Sequence, residues 1–459
     1  MAENAPGAQA QARLPASQRQ SRLVLAIVFV GALVWGGWSW WADRRFHDEI
    51  TAIELEMANG RFAIAARDLI VLLEREPDAG EAAFLLGRCE QERGRTLAAG
   101  QAFARIAPGS AYAHKAILAR MRLAHDKGQF AAAEQLINEV ADDPRSDRAH
   151  VRALLVPIYS QLGRLDEAQR LLEDWWEHLN EMGEGASEPA IDQVRMHIEL
   201  AFRPNPVEDV RTYLDQASKL APDDDRVWLG RANLAVRTGE YDAANRLLDA
   251  CLSRRPEDVP VWWARLNWGI ATNKTDKVEE AMKHIPAALA SLAQIHRLSA
   301  WLCAQRGDVA GERQQLETLF AANPDDLAAL NQLIQLAVQH GQPALAVDFG
   351  RKKEEIERLR ARYQKLFDRN QPNRDAEEMS ELADQLGRTF EALGFLTIEI
   401  AEDPARDDLR SRLLELNHKS RAVENRTETL ADAVARTLGN DGMNAEKTAK
   451  KVSSPEMPG

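Results

Sequence analysis

The sequence predicts an all-α fold, in which a long array of paired helices follows one transmembrane helix. Three observations lead to this prediction. An uncharged run of 20 apolar residues stands near the N-terminus, the rest of the chain has the polar, helix-forming character of amphipathic helices, and turn-forming residues recur with a period of 34 through much of it. A fixed period of this length is typical of repeat architectures, in which each unit buries its apolar face against its neighbours.

Residues 23–42 are predicted to span a membrane. The run carries no charge and extends about 30 Å as a helix, which is enough to cross a hydrocarbon core. A signal peptide would have a shorter apolar region and small residues before its cleavage site. This run instead ends in side chains that collect at membrane–water boundaries, namely Trp35, Trp38, Trp40 and Trp41. A cleaved signal and a buried core helix are the two alternatives.

The flanking charges predict the orientation of this span. Three arginines precede it, and two follow it beside acidic residues. Because positive charge favours the cytoplasmic side, this mild bias places the N-terminus inside and most of the chain on the periplasmic side of an inner (cytoplasmic) membrane. Residues 1–21 are rich in Ala, Gln, Pro and Ser and are predicted to be a disordered tail, before a transmembrane helix over 22–45.

The repeat is defined by residues suited to tight turns. Glycines at a period of 34 form a first series, in which the last is displaced by one position: Gly60, Gly94, Gly128 and Gly163. A second series keeps the same period: Gly239, Asn273, Gly307 and Gly341. Such residues adopt a left-handed backbone at little cost, so each is predicted to end the first helix of a unit.

Other positions of the repeat predict how the helices pack. Alanine stands five residues after each glycine of the first series, where two helices are expected to cross closely: Ala65, Ala99, Ala133 and Ala168. A large apolar residue stands nine residues after it and is expected to fill the interface with the next unit: Leu69, Phe103, Ile137 and Leu172. Prolines that cannot continue a helix mark the start of later units.

This pattern resembles the tetratricopeptide repeat (TPR). Residues 227–258 carry Trp228, Tyr241, Ala244, Leu248 and Pro256 at the positions of the family pattern, and "FLLGRCEQERGRTLAAGQAF" carries its Leu-Gly pair. The resemblance covers residues 46–350 and implies a right-handed α-α superhelix of about nine or ten units.

The period also predicts a division of the chain. We expect units one to four over 46–180, an irregular insertion over 181–206, units five to nine over 207–343, a long helix with capping helices over 344–420, and a disordered tail over 421–459. The long helix has an apolar seam at heptad spacing, which either packs on the helix that follows or forms a homodimer through 344–369.

No residue pattern predicts catalysis or cofactor binding. Nucleophile-elbow, zinc-protease, phosphate-loop and dinucleotide motifs are absent from the sequence, and His47-Asp48-Glu49 is interpreted as a solvated helix start rather than a metal site. The three cysteines form no CxxC pair, and we expect buried thiols without zinc or disulfides. A net charge of −13 argues against nucleic acid as a partner.

The TPR resemblance implies a binding groove lined by the first helices of successive units. Its inward-facing positions carry a basic, amide-rich and aromatic strip: Arg88, Lys115, Arg122, Arg226, Asn233, Arg237, Trp263, Asn267, Arg297 and Trp301. Arginine and amide groups suit carboxylates and peptide backbone, and tryptophans suit apolar anchors. The tryptophans are equally well explained as side chains that fill gaps between helices.

We therefore expect a membrane-anchored, non-enzymatic scaffold or adaptor. It would bind a protein or peptide partner, with an acidic and aromatic segment fitting best. The alternative is an accessory or structural subunit of a cell-envelope enzyme or assembly complex, with an FG-GAP or UnbV-type partner, because some bacterial chains with similar repeats continue into such domains.

Overall fold

The computed structural model describes residues 41, 44–143, 147–421 and 428–439. Its described residues form two compact units, divided between Leu123 and Ala124. Both are built from α-helices, and the described residues hold no β-strand beyond one isolated bridge between Pro286 and Thr429. The all-α repeat fold predicted from the sequence is confirmed.

The helices are short and mostly paired. In chain order from the first unit they are α1 (44–58), α2 (Phe62–Arg75), α3 (Gly80–Glu92), α4 (Thr96–Ala104) and α5 (Ala113–Asp126), within which the division falls. The second unit continues with α6 (Phe130–Ala141), α7 (Arg148–Ala153), α8 (Val156–Gln161), α9 (Leu165–Glu181), α10 (Glu188–Phe202), α11 (Val207–Leu220), α12 (Asp225–Thr238), α13 (Tyr241–Arg254), α14 (Val259–Ala271), α15 (Thr275–His284), α16 (Leu292–Arg306), α17 (Val309–Ala322), α18 (Leu327–Gln339), α19 (Pro343–Arg369), α20 (Pro372–Gln385), α21 (Thr389–Glu402), α22 (Asp407–Arg421) and α23 (430–439).

The predicted turns are where the period of 34 places them. All eight residues of the two series have positive φ, including Gly239 at 80° and the non-glycine Asn273 at 54°. A left-handed residue at this point ends the first helix and reverses the chain toward the second. Gly387, with φ of 74°, adds a further turn within the "LGRTFEALGF" segment.

The packing positions of the repeat are buried as predicted. The four alanines five residues after the turns have no exposed surface, and the four large apolar residues that follow them are at most 1% exposed. In α3, a Cβ built on Gly87 would overlap the ring of Phe103, so the Leu-Gly pair allows α3 and α4 to approach closely.

One predicted division is wrong. Residues 181–206, expected to be an irregular insertion, contain the 15-residue helix α10. The side chain of Ser187 accepts a hydrogen bond from the Ala190 N–H and caps this helix, and Pro189 occupies its first turn. Val194 and Ile198 are then buried, and α10 packs on α9 and α21.

The seam of the long helix is covered within the chain. Phe349, Ile356, Tyr363 and Leu366 of α19 are buried in one apolar cluster with residues of α20 and α21. These helices cap the array, as the first alternative predicts. The seam proposed for a homodimer through 344–369 is therefore occupied by the chain's own side chains.

Helices α10 and α21, which are far apart in the chain, also pack together inside the second unit. A Cβ on Gly394 would lie 2.5 Å from Cγ2 of Val194, so only glycine permits this close crossing. Beside it, the His197 ring lies 3.2 Å from Glu391 and 3.1 Å from Glu173. Burial alone would lower the pKa of His197, but these carboxylates raise it to about 9.

The structure tests the predicted disordered C-terminal tail in part, whereas almost all of the predicted N-terminal span lies outside the described residues. No helix in the described part of the chain has the length and hydropathy of a membrane span, and the predicted span at 23–42 lies outside that part except for Trp41. The disordered tail expected over 421–459 is wrong for residues 428–439. This segment holds α23, whose Leu430 and Val434 are buried.

Candidate partner-binding site

The candidate site is an apolar cavity of about 310 Å³ in the second unit. Its walls come mainly from α14, α16 and α18, the first helices of three successive units, with two residues from α17 and one each from α9 and α23. The lining residues are Asp166, Trp263, Leu266, Asn267, Ile270, Gln294, Arg297, Leu298, Ala300, Trp301, Ala304, Glu312, Leu319, Ala328, Ala329, Gln332 and Leu430.

Four predicted site residues meet in this cavity. Trp263 and Asn267 are four residues apart on α14, and Arg297 and Trp301 are four residues apart on α16. This spacing places each pair on one helix face. Both tryptophans are half-buried. The indole N–H of Trp263 is buried and has no hydrogen-bond partner within the described structure, so its ring borders the cavity with an unused donor.

Some of the charged and polar side chains of the cavity already have partners within the chain. Arg297 donates from Nη2 to Asp326 at 2.5 Å, and Asp326 also caps α18 by accepting from the Ala329 N–H. Gln294 donates to Asp166 at 2.7 Å, which ties α16 to α9 across the cavity mouth. The site therefore presents apolar walls, exposed amides and ion-paired charge, rather than the basic strip expected from the sequence.

A second cavity of about 240 Å³ lies beside the first and shares Trp263, Asn267 and Asp166 with it. Asn233 lines this second cavity and donates its amide to the Leu162 carbonyl at 2.9 Å. Arg170 also lines this cavity and donates to the Leu289 carbonyl at 3.1 Å. We refer to these two neighbouring cavities together as the recess, and Trp263 of α14 lines both of them.

The prediction that Arg226 belongs to the basic strip is wrong. Its side chain is buried, and both Nε–Glu134 and Nη1–Asp258 ion pairs measure 2.5 Å. Glu134 also pairs with Arg164 at 2.8 Å and accepts from the Tyr159 hydroxyl at 2.6 Å. Burial alone would raise the pKa of Glu134, but the two arginines and the hydroxyl lower it to about 2. Arg226 thus holds the helices together and does not face a ligand.

The other predicted residues lie outside both cavities. Arg237 is exposed and donates to the Asn205 carbonyl at 2.9 Å. In the first unit, Arg88, Lys115 and Arg122 are exposed, and the Lys115 ammonium lies 5.2 Å from the centre of the Tyr112 ring. The structure therefore gathers five predicted residues around the recess: Asn233, Trp263, Asn267, Arg297 and Trp301.

Sequence reasoning missed Asp166, Gln294, Gln332 and Leu430. Gln294 belongs to a capping box with Ser291, which the "SLAQ" pattern signals. Asp166 and Leu430 come from distant elements, and no local pattern points to them. The described residues contain no group of three or more His, Cys, Asp or Glu side chains able to hold a metal, and Glu49 of the His-Asp-Glu run pairs with Arg75.

Comparison with known proteins identifies the repeats. Family models described as "Tetratricopeptide repeat" match residues 50–114 and 207–266. No curated protein matches the chain.

Similar solved structures are distant in sequence. The APC/C hetero-tetramer Cut9-Hcn1 is 12% identical, with 84% of this chain and 95% of that chain covered and a TM-score of 0.29. The P58(IPK) TPR domain is 13% identical, with coverages of 82% and 99% and a TM-score of 0.24. Yeast Tom70 is 11% identical, with coverages of 90% and 100% and a TM-score of 0.25. The period of 34, the left-handed turns and the two matched segments together show that the chain contains tetratricopeptide repeats in both of its units.

Proposed function

We propose that the chain is a non-enzymatic adaptor that binds a segment of a partner protein in the recess beside Trp263 and Trp301. The observation that carries the proposal is the apolar cavity formed by the first helices of three successive units, with exposed amides at its edge. Tetratricopeptide repeats are scaffolds for protein–protein interaction, which agrees with this use of the site.

The size and lining of the cavity favour an apolar anchor residue. A volume of about 310 Å³ accepts an aromatic or branched aliphatic side chain, and the two indole rings supply large, rigid contact surfaces. The exposed amides of Asn267 and Gln332 offer donors and acceptors for the backbone on either side of that anchor.

Charge has a smaller part in recognition than the sequence predicts. Arg226 is neutralised by Glu134 and Asp258, and Arg297 by Asp326. An acidic residue next to the anchor would compete with Asp326 for Arg297. We therefore propose an aromatic or aliphatic anchor as the main determinant, and we expect partner affinity to change little with added salt.

Peptide selection on the full chain tests this site. Displayed peptides selected against the purified protein in mild detergent should share one large apolar residue. Trp301→Ala should weaken the best peptide at least tenfold, about 1.4 kcal/mol, because it removes a wall of the anchor pocket. Trp228→Ala is the matched control, since this partly exposed tryptophan lies outside both cavities. Equal losses of peptide affinity in the two variants, or no loss in either, would show that the binding site lies elsewhere.

The proposal includes a membrane anchor at residues 23–42, with the repeats on the periplasmic side. The uncharged run with tryptophans at one edge supports this part. Fractionation with a carbonate wash and N-terminal sequencing of the mature chain test it. Retention in the membrane pellet with the original N-terminus is expected. A soluble chain that begins near residue 40 would show a cleaved signal instead.

A further inference from the structure

The segment 428–439 docks on the second unit as a short capped helix. Thr429 and Asp432 cap α23 reciprocally, since the Asp432 carboxylate accepts from the Thr429 N–H at 3.2 Å and the Thr429 hydroxyl accepts from the Asp432 N–H at 3.3 Å. Leu430, Ala433 and Val434 are buried, whereas the neighbouring Ala435 and Arg436 are exposed. One face of α23 therefore carries the buried side chains of the docking contact.

The surface beneath α23 is left open by the shortness of α15. This helix ends at His284 because Pro286 cannot continue it, and the backbone becomes extended at Ile285. The docked segment satisfies the backbone groups so released. The Leu430 N–H donates to the Ile285 carbonyl at 2.8 Å, and the Ala287 N–H donates to the Glu428 carbonyl at 2.9 Å.

The docked segment also reaches the candidate site. Leu430 lines the apolar cavity, and α23 shares one apolar cluster with Leu266, Leu298 and Leu302 of α14 and α16. Trp263 and Trp301 pack against the same cluster. Leu430 therefore forms part of the wall of the pocket proposed for the anchor residue, and a bound segment that extends past this wall has to displace it.

The contact is suited to release. A ten-residue helix is only marginally stable by itself in water, so α23 gains its order from three buried side chains and two backbone hydrogen bonds. In the sequence, six residues separate the segment from the end of α22. Because the segment belongs to the same chain, its docking is intramolecular, which keeps it docked although its separate affinity is weak.

We propose that residues 428–439 are an intramolecular ligand of the cavity, which lowers the affinity for the partner until it is displaced. The lowered affinity for the partner rests on the proposed function. The release of the docked segment, and its replacement by a free copy of the same segment, does not. A partner segment that places an apolar residue where Leu430 lies takes over the surface left open by α15.

A labelled peptide of residues 428–439 tests the exchange on the full chain. Val434→Asp puts a charge into the docking face and releases the segment, whereas Ala435→Asp puts the same charge on the exposed neighbour and is the matched control. The peptide should bind the Val434→Asp chain at least tenfold more tightly than the wild type or the control, because only in that variant is the surface vacant. Circular dichroism confirms folding, and Leu430→Ala provides a milder variant that releases the segment.

The outcomes separate this inference from the proposed function. A peptide that binds all chains equally, or none of them, overturns the inference, even if the selected partner peptides still depend on Trp301. Exchange of the 428–439 peptide without any effect of Trp301→Ala on selected peptides would instead overturn the partner site. If both stand, selected peptides should bind the Val434→Asp chain about tenfold more tightly than the Ala435→Asp chain.

Discussion

Replacing Glu134 by Gln should destabilise the second unit strongly. This carboxylate is the shared partner of Arg164 and Arg226, at 2.8 and 2.5 Å, and all three side chains are buried. Gln keeps the shape but removes the charge, so two buried guanidinium groups lose their common counter-ion and keep only Asp258 and Glu167. Breaking a buried pair outright costs about 3–5 kcal/mol, and the remaining carboxylates place this substitution at the lower end of that range.

The lowered pKa of Glu134 points in the same direction. It falls from 4.5 to about 2 on folding, and at 1.36 kcal/mol per unit this corresponds to about 3 kcal/mol. Because the folded-state pKa is the lower one, this stabilisation is fully present above pH 4.5. It is lost as the pH falls from about 4.5 to about 2.

Urea unfolding of the full chain in mild detergent, followed by circular dichroism, measures both effects. Glu139→Gln is the matched control, because Glu139 is exposed on the same helix, α6, and its loss should change stability by less than about 0.5 kcal/mol. At pH 7, Glu134→Gln should lower the free energy of unfolding by about 3 kcal/mol, and its acid sensitivity between pH 4.5 and 2 should be reduced. Equal stability of the two variants would refute the assignment of Glu134 as the centre of this network.

Two further predictions concern close packing and the thiols. Gly394→Ala should lower stability by about 1–3 kcal/mol because its Cβ would overlap Val194, whereas Gly350→Ala, with open space around it, should raise stability by up to about 1 kcal/mol; thermal melts of the two variants compare them. A Gly394→Ala chain that melts like the wild type would contradict the tight α10–α21 crossing. Burial raises the pKa of Cys89 to about 11 and that of Cys251 to about 12, so titration with a thiol reagent at pH 8 should be slow in the native protein and complete only after denaturation. Rapid native modification would show that the repeats open. The three buried thiols concerned are Cys89, Cys251 and Cys303.

Much of the local architecture follows from the sequence pattern because its causes are local. A residue with positive φ is needed wherever one helix turns into the next, and a small residue is needed where the two helices cross. Both needs recur with the period of the repeat, so the turn at Gly239 and the buried Ala244 are predictable without any tertiary information. The same pattern placed Trp263, Asn267, Arg297 and Trp301 on neighbouring helix faces, where the structure shows them around one cavity.

The helix α10 shows where the period misleads. Extra residues between Gly163 and Gly239 broke the count, and the segment was predicted to be irregular. Its cap at Ser187 and its buried Val194 and Ile198 are ordinary helix signals that the interrupted period concealed.

By itself, then, the sequence determined the helical repeat, the positions of its turns and the helix faces on which the candidate site lies. Only the tertiary structure decided which charges on those faces are available. Arg226 and Arg297 both lie on first helices at positions predicted to face the groove. Arg226 meets Glu134, which is 92 residues away in the chain, and is buried, whereas Arg297 stays exposed beside Asp326. The docking of α23 on the surface left open by α15 is equally beyond a repeat pattern. Both depend on contacts between residues far apart in the chain, and a period of 34 describes only how each unit meets its neighbours.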